Sequence, residues 1–269
     1  MIDLNHDYGF LKLTGPDAAK FLQGQCSANI QTLADGHCVY GVICDPKGRI
    51  QALFHAFRQG GDYYLRMPKD VLSHALSHLK KYSIFSKVTI EIDENSLFFY
   101  ASHQGQAEHI ACEFAIYDTG FTGFYTHKVL ETHETTLAFK EALIEHGIPE
   151  VGLACVDQFT PHNLNLQCLG ALDFDKGCYT GQEIVTRMHF RGTLKQHLYI
   201  GTLPEALELT PMMAVHNSED KPVGQVVNAL RHGNKTLCLV TLKDSAFNDA
   251  FIEGLPVNLR TPDYLEIQP

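Results

Sequence analysis

Beyond Leu194 the hydrophobic pattern of this chain changes for good. His197 to Leu203, Val223 to Val227, Leu237 to Leu242 and Val257 to Leu259 read as strands separated by turns, and no stretch among them carries apolar residues at helical spacing. Such a segment buries its apolar side chains by packing sheet on sheet or by closing a sheet on itself, so a small all-β domain is expected over residues 194–269. Upstream the pattern is mixed. Val71, Leu72, Ala75, Leu76 and Leu79 share one face of a helix that Pro68 opens and Lys80-Lys81 closes. A second helix is expected from Thr136 to His146, with Gly147 as its stop and Pro149 just beyond. A short helix carrying Ala18, Phe21 and Leu22 follows the turn Thr14-Gly15-Pro16-Asp17. Strand runs at Cys38 to Ile43 and Ile50 to Phe57 flank the turn Asp45-Pro46-Lys47-Gly48, and Val88 to Ile92 and Leu97 to Tyr100 add two more. An α+β body followed by a β domain is the architecture these patterns predict.

Composition removes several function classes. Of 269 residues, 45% are hydrophobic and 19% charged, enough apolar material for packed cores and too much for a disordered chain. The net charge of −10 argues against broad polyanion binding, which cations drive, although a local basic patch remains open. No apolar run reaches the roughly 18 residues of a membrane span. Met1-Ile2-Asp3-Leu4-Asn5-His6-Asp7 has no basic or apolar leader character, and the eight cysteines are scattered, so reduced thiols in a cytoplasmic protein are expected. His74 and His78 stand four apart on a helix, but Ala75 occupies the place where a zincin has glutamate. They are expected on an exposed polar face, with no metal. Neither a phosphate-binding glycine loop nor a C-x-x-C pair is present.

One segment stands apart: Asp173-Phe174-Asp175-Lys176-Gly177-Cys178-Tyr179-Thr180-Gly181-Gln182-Glu183. Its glycines permit a tight loop or close backbone approach, and Gln182-Glu183 can open a short helix. Cys178 has two readings, a thiolate favoured by the nearby Lys176 or a small buried residue in a structural turn. Lys176, Arg187, Arg191 and Lys195, against the single anion Glu183, form a basic island that suits an anionic ligand or is an ordinary solvated face.

Lys176-Gly177-Cys178-Tyr179-Thr180-Gly181-Gln182-Glu183 resembles the signature of the YgfZ family, folate-binding proteins connected with tRNA modification and paralogous to the glycine-cleavage aminomethyltransferase. Other segments agree in order: Phe21-Leu22-Gln23-Gly24-Gln25, Cys44-Asp45-Pro46-Lys47-Gly48-Arg49, Lys80-Lys81-Tyr82 with Phe85-Ser86-Lys87-Val88, Gly147-Ile148-Pro149, Asn165-Leu166-Gln167 and Phe190-Arg191-Gly192. The resemblance covers nearly the whole chain. It implies an aminomethyltransferase-like α+β fold, with lobes over 1–100 and 101–193 and a C-terminal β-barrel around a central channel. It further implies tetrahydrofolate or a one-carbon derivative as ligand, near Tyr8, Asn29, Phe139 and Asn165, with Gly177, Tyr179, Gln182 and Arg187 as further contacts. The family's functional cysteine maps to Cys178. This chain has no tryptophan beside the channel; Tyr8 and Phe139 stand where those aromatics would be.

The function implied is that of an accessory protein for assembly or repair of iron–sulfur clusters, supporting radical enzymes that thiomethylate tRNA. Its partners would be those enzymes or cluster-assembly proteins, with no membrane and with a monomer as the default. The alternative is a folate-dependent one-carbon transferase, with Asp45 or Glu183 as acid–base group and Cys178 as nucleophile. The acidic pair of the aminomethyltransferases is here Cys44-Asp45, which argues against glycine-cleavage chemistry. Direct tRNA contact through Arg187 to Lys195 is the reading the overall charge favours least.

Overall fold

The computed structural model describes residues 1–94, 96–103, 110–116, 119–132, 135–192 and 194–265; Thr193, at the expected domain boundary, lies outside them. A five-stranded antiparallel sheet forms the centre, in the order Cys38–Cys44, Ile50–Gln59, Asp62–Pro68, Tyr8–Thr14, Thr89–Asp93. Strand period two sends Leu11, Leu13, Ala52, Phe54, Ala56, Leu65 and Met67 to one face. There they meet helices α1 (Ala18–Gln23) and α2 (Leu72–Tyr82). Phe10, Phe57 and Tyr64 point the other way. Both faces are covered, which explains why Ile50 to Phe57 reads as an almost continuous apolar run.

The second face packs on a four-stranded sheet, ordered Ile2–Asp3, Phe98–Ser102, Thr122–Thr126, Ile110–Ala115. The first strand of the chain thus belongs to the sheet formed by residues about a hundred positions later, held by Leu4 N–H donating to the Phe99 carbonyl at 3.1 Å. Aromatic rings fill the interface: Phe10 and Phe57 lie 5.2 and 5.4 Å from Tyr125, and Tyr8 lies 5.3 Å from Phe99, mostly edge-on. Helix α3 (Thr136–Glu145) adds Phe139 to the same cluster.

The C-terminal segment is a seven-stranded antiparallel sheet that curls into a nearly closed barrel, with strands Gln196–Leu203, Pro222–His232 and Lys235–Lys243 at its middle. The all-β expectation after Leu194 is met. Leu198, Ile200, Val227 and Leu239 pack outward against Val42, Cys44, Ile50 and the loop residues Val151 to Leu172. Helix α4 (Gln182–Arg191) joins this layer through Val185. No described helix is long and apolar enough to cross a membrane.

The helix after Pro68 forms, but its histidines are not on an exposed face. His78 is buried, packing against Tyr82, and His74 Nε2 meets Gln51 Oε1 at 3.0 Å. Burial lowers the pKa of His78 and keeps it neutral in the core. Among the described residues no cluster of three metal-ligating side chains occurs.

Leu4 is fully buried in the aromatic interface. Leu4→Ala should lower unfolding stability by about 2–5 kcal/mol, the range for emptying a core leucine site, read as a drop in urea midpoint at unchanged slope.

Candidate functional site

A cleft opens at the edge of the aromatic interface. Its floor comes from Tyr40, His55 and Arg66 of the central sheet, and its walls from Tyr8, Phe139 and the segment Ile148 to Val151. Arg66 projects from the aromatic face of its strand. Its guanidinium lies 4.9 Å from the Tyr8 ring and 4.5 Å from the Phe99 ring, and it donates to His55 Nδ1. Accepting that bond requires a neutral imidazole, and burial, reinforced by the Arg66 charge, holds the His55 pKa well below its ordinary value. Burial opposes the Arg66 charge, but Tyr125, Tyr8 and Glu150 around it hold its pKa up. Arg66 Nε is buried with no partner.

Glu150 faces this cation. The α3 helix stops at Gly147, whose positive φ of 70° ends the turn, and Pro149 blocks its continuation. The next residue is fixed from the barrel: Glu150 N–H donates to Asn228 Oδ1 at 2.9 Å and Asn228 Nδ2 donates back to the Glu150 carbonyl at 3.0 Å. A register shift between Val226 and Asn228 turns this asparagine toward the cleft segment. The Tyr8 hydroxyl donates to Glu150 Oε1. Burial pushes the Glu150 carboxyl above the usual carboxylate range, while the Tyr8 hydroxyl and Arg66 pull it back. Burial and Glu150 together push the Tyr8 phenol well up.

The Lys176–Glu183 loop lies outside the residues that line this cleft. Asp173 Oδ1 accepts the backbone N–H groups of Asp175 and Lys176, at 2.9 and 3.0 Å, and turns the chain inward. The Lys176 ammonium is then buried, donating to the carbonyls of Gln23, Cys26 and Ala28 at 2.8, 2.6 and 2.6 Å. Thr180 N–H donates to the Gly24 carbonyl at 3.1 Å. Gly181, at φ 85°, is the residue before α4; a Cβ there would stand 2.5 Å from the Asp45 carbonyl oxygen and 2.9 Å from Cys44 Cβ. Between these anchors Cys178 is exposed, and Tyr179 turns its ring inward, 5.2 Å from the Lys176 ammonium.

The residues expected around one ligand therefore separate. Tyr8 and Phe139 line the cleft. Asn29 does not: its side chain accepts from Gln23 Nε2 at 3.2 Å. Nor does Asn165, which is fully buried and ties its turn to the barrel through Leu198 O at 2.9 Å. Lys176, Gly177, Cys178 and Tyr179 belong to the anchored loop. Gln182, Glu183 and Arg187 line a surface groove of α4 with Phe174 and Phe190. Asp45 Oδ1 caps its own turn, accepting Lys47 and Arg49 N–H at 2.9 and 2.8 Å. The basic island loses Lys176, whose charge is committed inside, and keeps the exposed Arg187, Arg191 and Lys195. Cys178 is no buried turn residue. Sequence reasoning missed Arg66, His55 and Glu150. The signal for Glu150 was a carboxylate within the apolar run Ile148-Pro149-Glu150-Val151, just past a helix stop; for Arg66 it was a cation at an inward strand position between Leu65 and Met67.

No protein-family model matches the chain. Curated relatives do. The tRNA-modifying protein YgfZ of Serratia proteamaculans is 30% identical over 309 aligned positions, covering 94% of this chain and 91% of that protein. The protein of the same name from Escherichia coli O157:H7 is 32% identical, covering 94% and 92%. Among solved structures, the glycine cleavage system aminomethyltransferase T of Bartonella henselae superposes with a TM-score of 0.66 over 98% of this chain and 86% of that one, at 13% identity. That likeness establishes the aminomethyltransferase-like α+β fold.

Removing the Lys176 ammonium takes a donor from three buried carbonyls and leaves Ala28 O only the weak Cys26 thiol, each lost partner costing about 1–3 kcal/mol. Lys176→Met is expected to lower the unfolding midpoint sharply and to expose the loop around Cys178 to limited proteolysis, whereas Cys178→Ala leaves both unchanged.

Proposed function

This chain belongs to the YgfZ family of tRNA-modifying proteins, and on that premise we propose that it binds a reduced folate in the cleft and serves as an accessory factor for iron–sulfur proteins in tRNA modification. The observation that carries the folate reading is the half-buried Glu150 carboxylate and the buried Arg66 guanidinium lining one cleft among aromatic rings. A pterin presents an amino group and a ring N–H as adjacent donors beside a carbonyl acceptor. Glu150 supplies a carboxylate for the donors, and Arg66, whose Nε has no partner, supplies N–H for the carbonyl. Tyr8, Phe139 and Tyr40 offer the apolar walls a planar ring needs, in place of the missing tryptophans. The donor set suits a pterin edge, and with the family premise it makes tetrahydrofolate or a one-carbon derivative, which carries or accepts a one-carbon unit when bound, the proposed ligand. The cleft's free volume is only about 40 Å³, so its walls must move apart to admit the ring.

Cys178 supports the accessory reading over the transferase one. Its thiol sits on an exposed, anchored loop that does not line the cleft, so a thiol attack on a cleft-bound folate has no support. Asp45 is engaged in its turn, and Glu183 opens α4 on the surface, so neither is placed as acid–base group for that cleft. A single exposed thiol cannot supply a full cluster ligand set, which calls for a partner protein to meet it. All eight cysteines are free, in keeping with the proposed cytoplasmic setting.

Calorimetric titration with tetrahydrofolate tests the ligand: one saturable site is expected. Glu150→Gln should weaken it roughly tenfold to a hundredfold, the loss of charged hydrogen bonds. Because binding needs the carboxylate and burial raises its pKa, affinity should fall with falling pH, and should begin to fall at a higher pH than protonation of an ordinary carboxyl would allow. Absence of heat at neutral pH, or a Glu150→Gln variant that binds like the parent, overturns the reading. Separately, Cys178→Ala should keep the fold and folate affinity but lose thiomethylated tRNA in a complemented deletion strain; full rescue would sink the role of the thiol.

A further inference from the structure

The turn after α2 exposes apolar side chains that the fold does not use. Phe85 is 99% exposed, Ile84 75% and Tyr82 40%. They are held out rather than loose. Ser86 N–H donates to the Ser83 carbonyl at 2.9 Å, Lys87 N–H to Asp17 Oδ2 at 2.7 Å, and Asp17 N–H back to the Lys87 carbonyl at 3.3 Å. Gly15, at φ 108°, lets that carbonyl approach: a Cβ there would stand 2.5 Å from it. The turn is thus pinned to the start of α1, and the groove between them is walled by Lys20, Phe21, Gly24, Gln25, Tyr82 and Phe85. Gln25 Oε1, on this wall, is buried with no partner.

We propose that this surface docks a protein partner whose own contact face is an apolar cleft rimmed by carboxylates, and that docking sets the partner beside the Cys178 loop. Charge selects the partner. Lys20, Lys80, Lys81 and Lys87 are all exposed around the apolar side chains, and among the described residues none of the four meets a carboxylate. The one acid of the groove, Asp17, spends its Oδ2 on the Lys87 backbone. An RNA or an anionic membrane would also answer the lysines, and each is an outcome that the test below separates. An aliphatic Ile84 beside Phe85 suits insertion into a protein pocket better than stacking on bases. A pre-formed turn loses little conformational freedom on binding.

Placement beside Cys178 follows from shared backbone. Gly24 is both a wall of the groove and the acceptor of Thr180 N–H, and the carbonyls of Gln23 and Cys26 hold Lys176. The partner class, an iron–sulfur or cluster-assembly protein, rests on the accessory reading above; the docking surface itself does not.

The test places a photo-crosslinking benzoylphenylalanine at position 85 in a complemented deletion strain, with the exposed Val129 as the control position. A discrete protein adduct at 85 and not at 129 is expected. After identification by mass spectrometry and purification, that protein should bind this chain with affinity reduced at least about tenfold by Phe85→Asp and by Lys81→Glu. Reversing a carboxylate on the partner should restore binding to Lys81→Glu, and tetrahydrofolate affinity should stay at the parent value in both variants. No adduct at 85, equal adducts at both positions, or a partner indifferent to Phe85→Asp overturns the proposal. So does binding of bulk tRNA or phosphatidylserine vesicles that Phe85→Asp abolishes. Loss of folate binding in the parent protein would instead refute the folate reading and leave this surface standing.

Discussion

A lysine ammonium buried against three backbone carbonyls is an expensive object, because burial strips its water and lowers its pKa. Lys176 is kept charged by the geometry of Gln23, Cys26 and Ala28, whose carbonyls converge at 2.6–2.8 Å on one point. Those carbonyls converge because Gln23 to Ala28 leaves α1 as a compact loop, itself fixed by Ser27, which accepts Val42 N–H at 2.9 Å and donates to Ala171 O at 2.5 Å. One cation therefore ties together segments about 150 residues apart. The Cys178 loop, the start of α4 and one wall of the Phe85 groove all take their positions from that tie.

The cleft depends on a different electrostatic bargain. Arg66 is charged in an aromatic interior, answered by ring faces, a neutral His55 and the carboxylate of Glu150 across the cleft. Such an arrangement is costly as mere scaffolding, since well-packed apolar residues would stabilise the same space as well or better. Polar groups of opposite character at the end of an aromatic stack make chemical sense as recognition elements for a flat, polar heterocycle. The barrel contributes through Asn228, which grips the Glu150 backbone from both sides. Cleft and barrel also meet through Val151 and Leu53, which line the cleft and pack in one cluster with Val227 and Leu239.

Three separate surface features stand out: a cleft lined by aromatic rings, an exposed thiol on an anchored loop, and an apolar turn ringed by lysines. Cleft and thiol do not share lining residues, so a bound folate would act on the thiol's surroundings through the central sheet rather than by direct contact. The apolar turn and the thiol, by contrast, are built on the same stretch of backbone around Gly24.

Period and punctuation made much of the fold legible. The switch to strand spacing after Leu194, the Pro68-to-Lys81 helix and the Gly147 stop are local signals, and local signals survive folding because neighbours in sequence stay neighbours in space. The anchored Lys176–Glu183 loop was visible for the same reason, as were Tyr8 and Phe139 by their match to the family pattern. What lay beyond reach was every assignment that needs two distant segments. Nothing near Ile2 says that it pairs with Ala101, nothing near His78 says that its face is covered, and nothing around Lys176 says that its charge is spent on the carbonyls of residues 23–28. The sequence by itself determined the helix after Pro68, the helix that Gly147 stops and the strand character after Leu194, but not the strands Tyr8–Thr14, Ile110–Ala115 and Thr122–Thr126. Only the tertiary structure decided that Glu150 and Arg66 make the cleft, that Asn29 and Asn165 do not, and that Phe85 is left outside. Burial and charge pairing are properties of packed neighbours, and a linear pattern carries no record of which neighbours those will be.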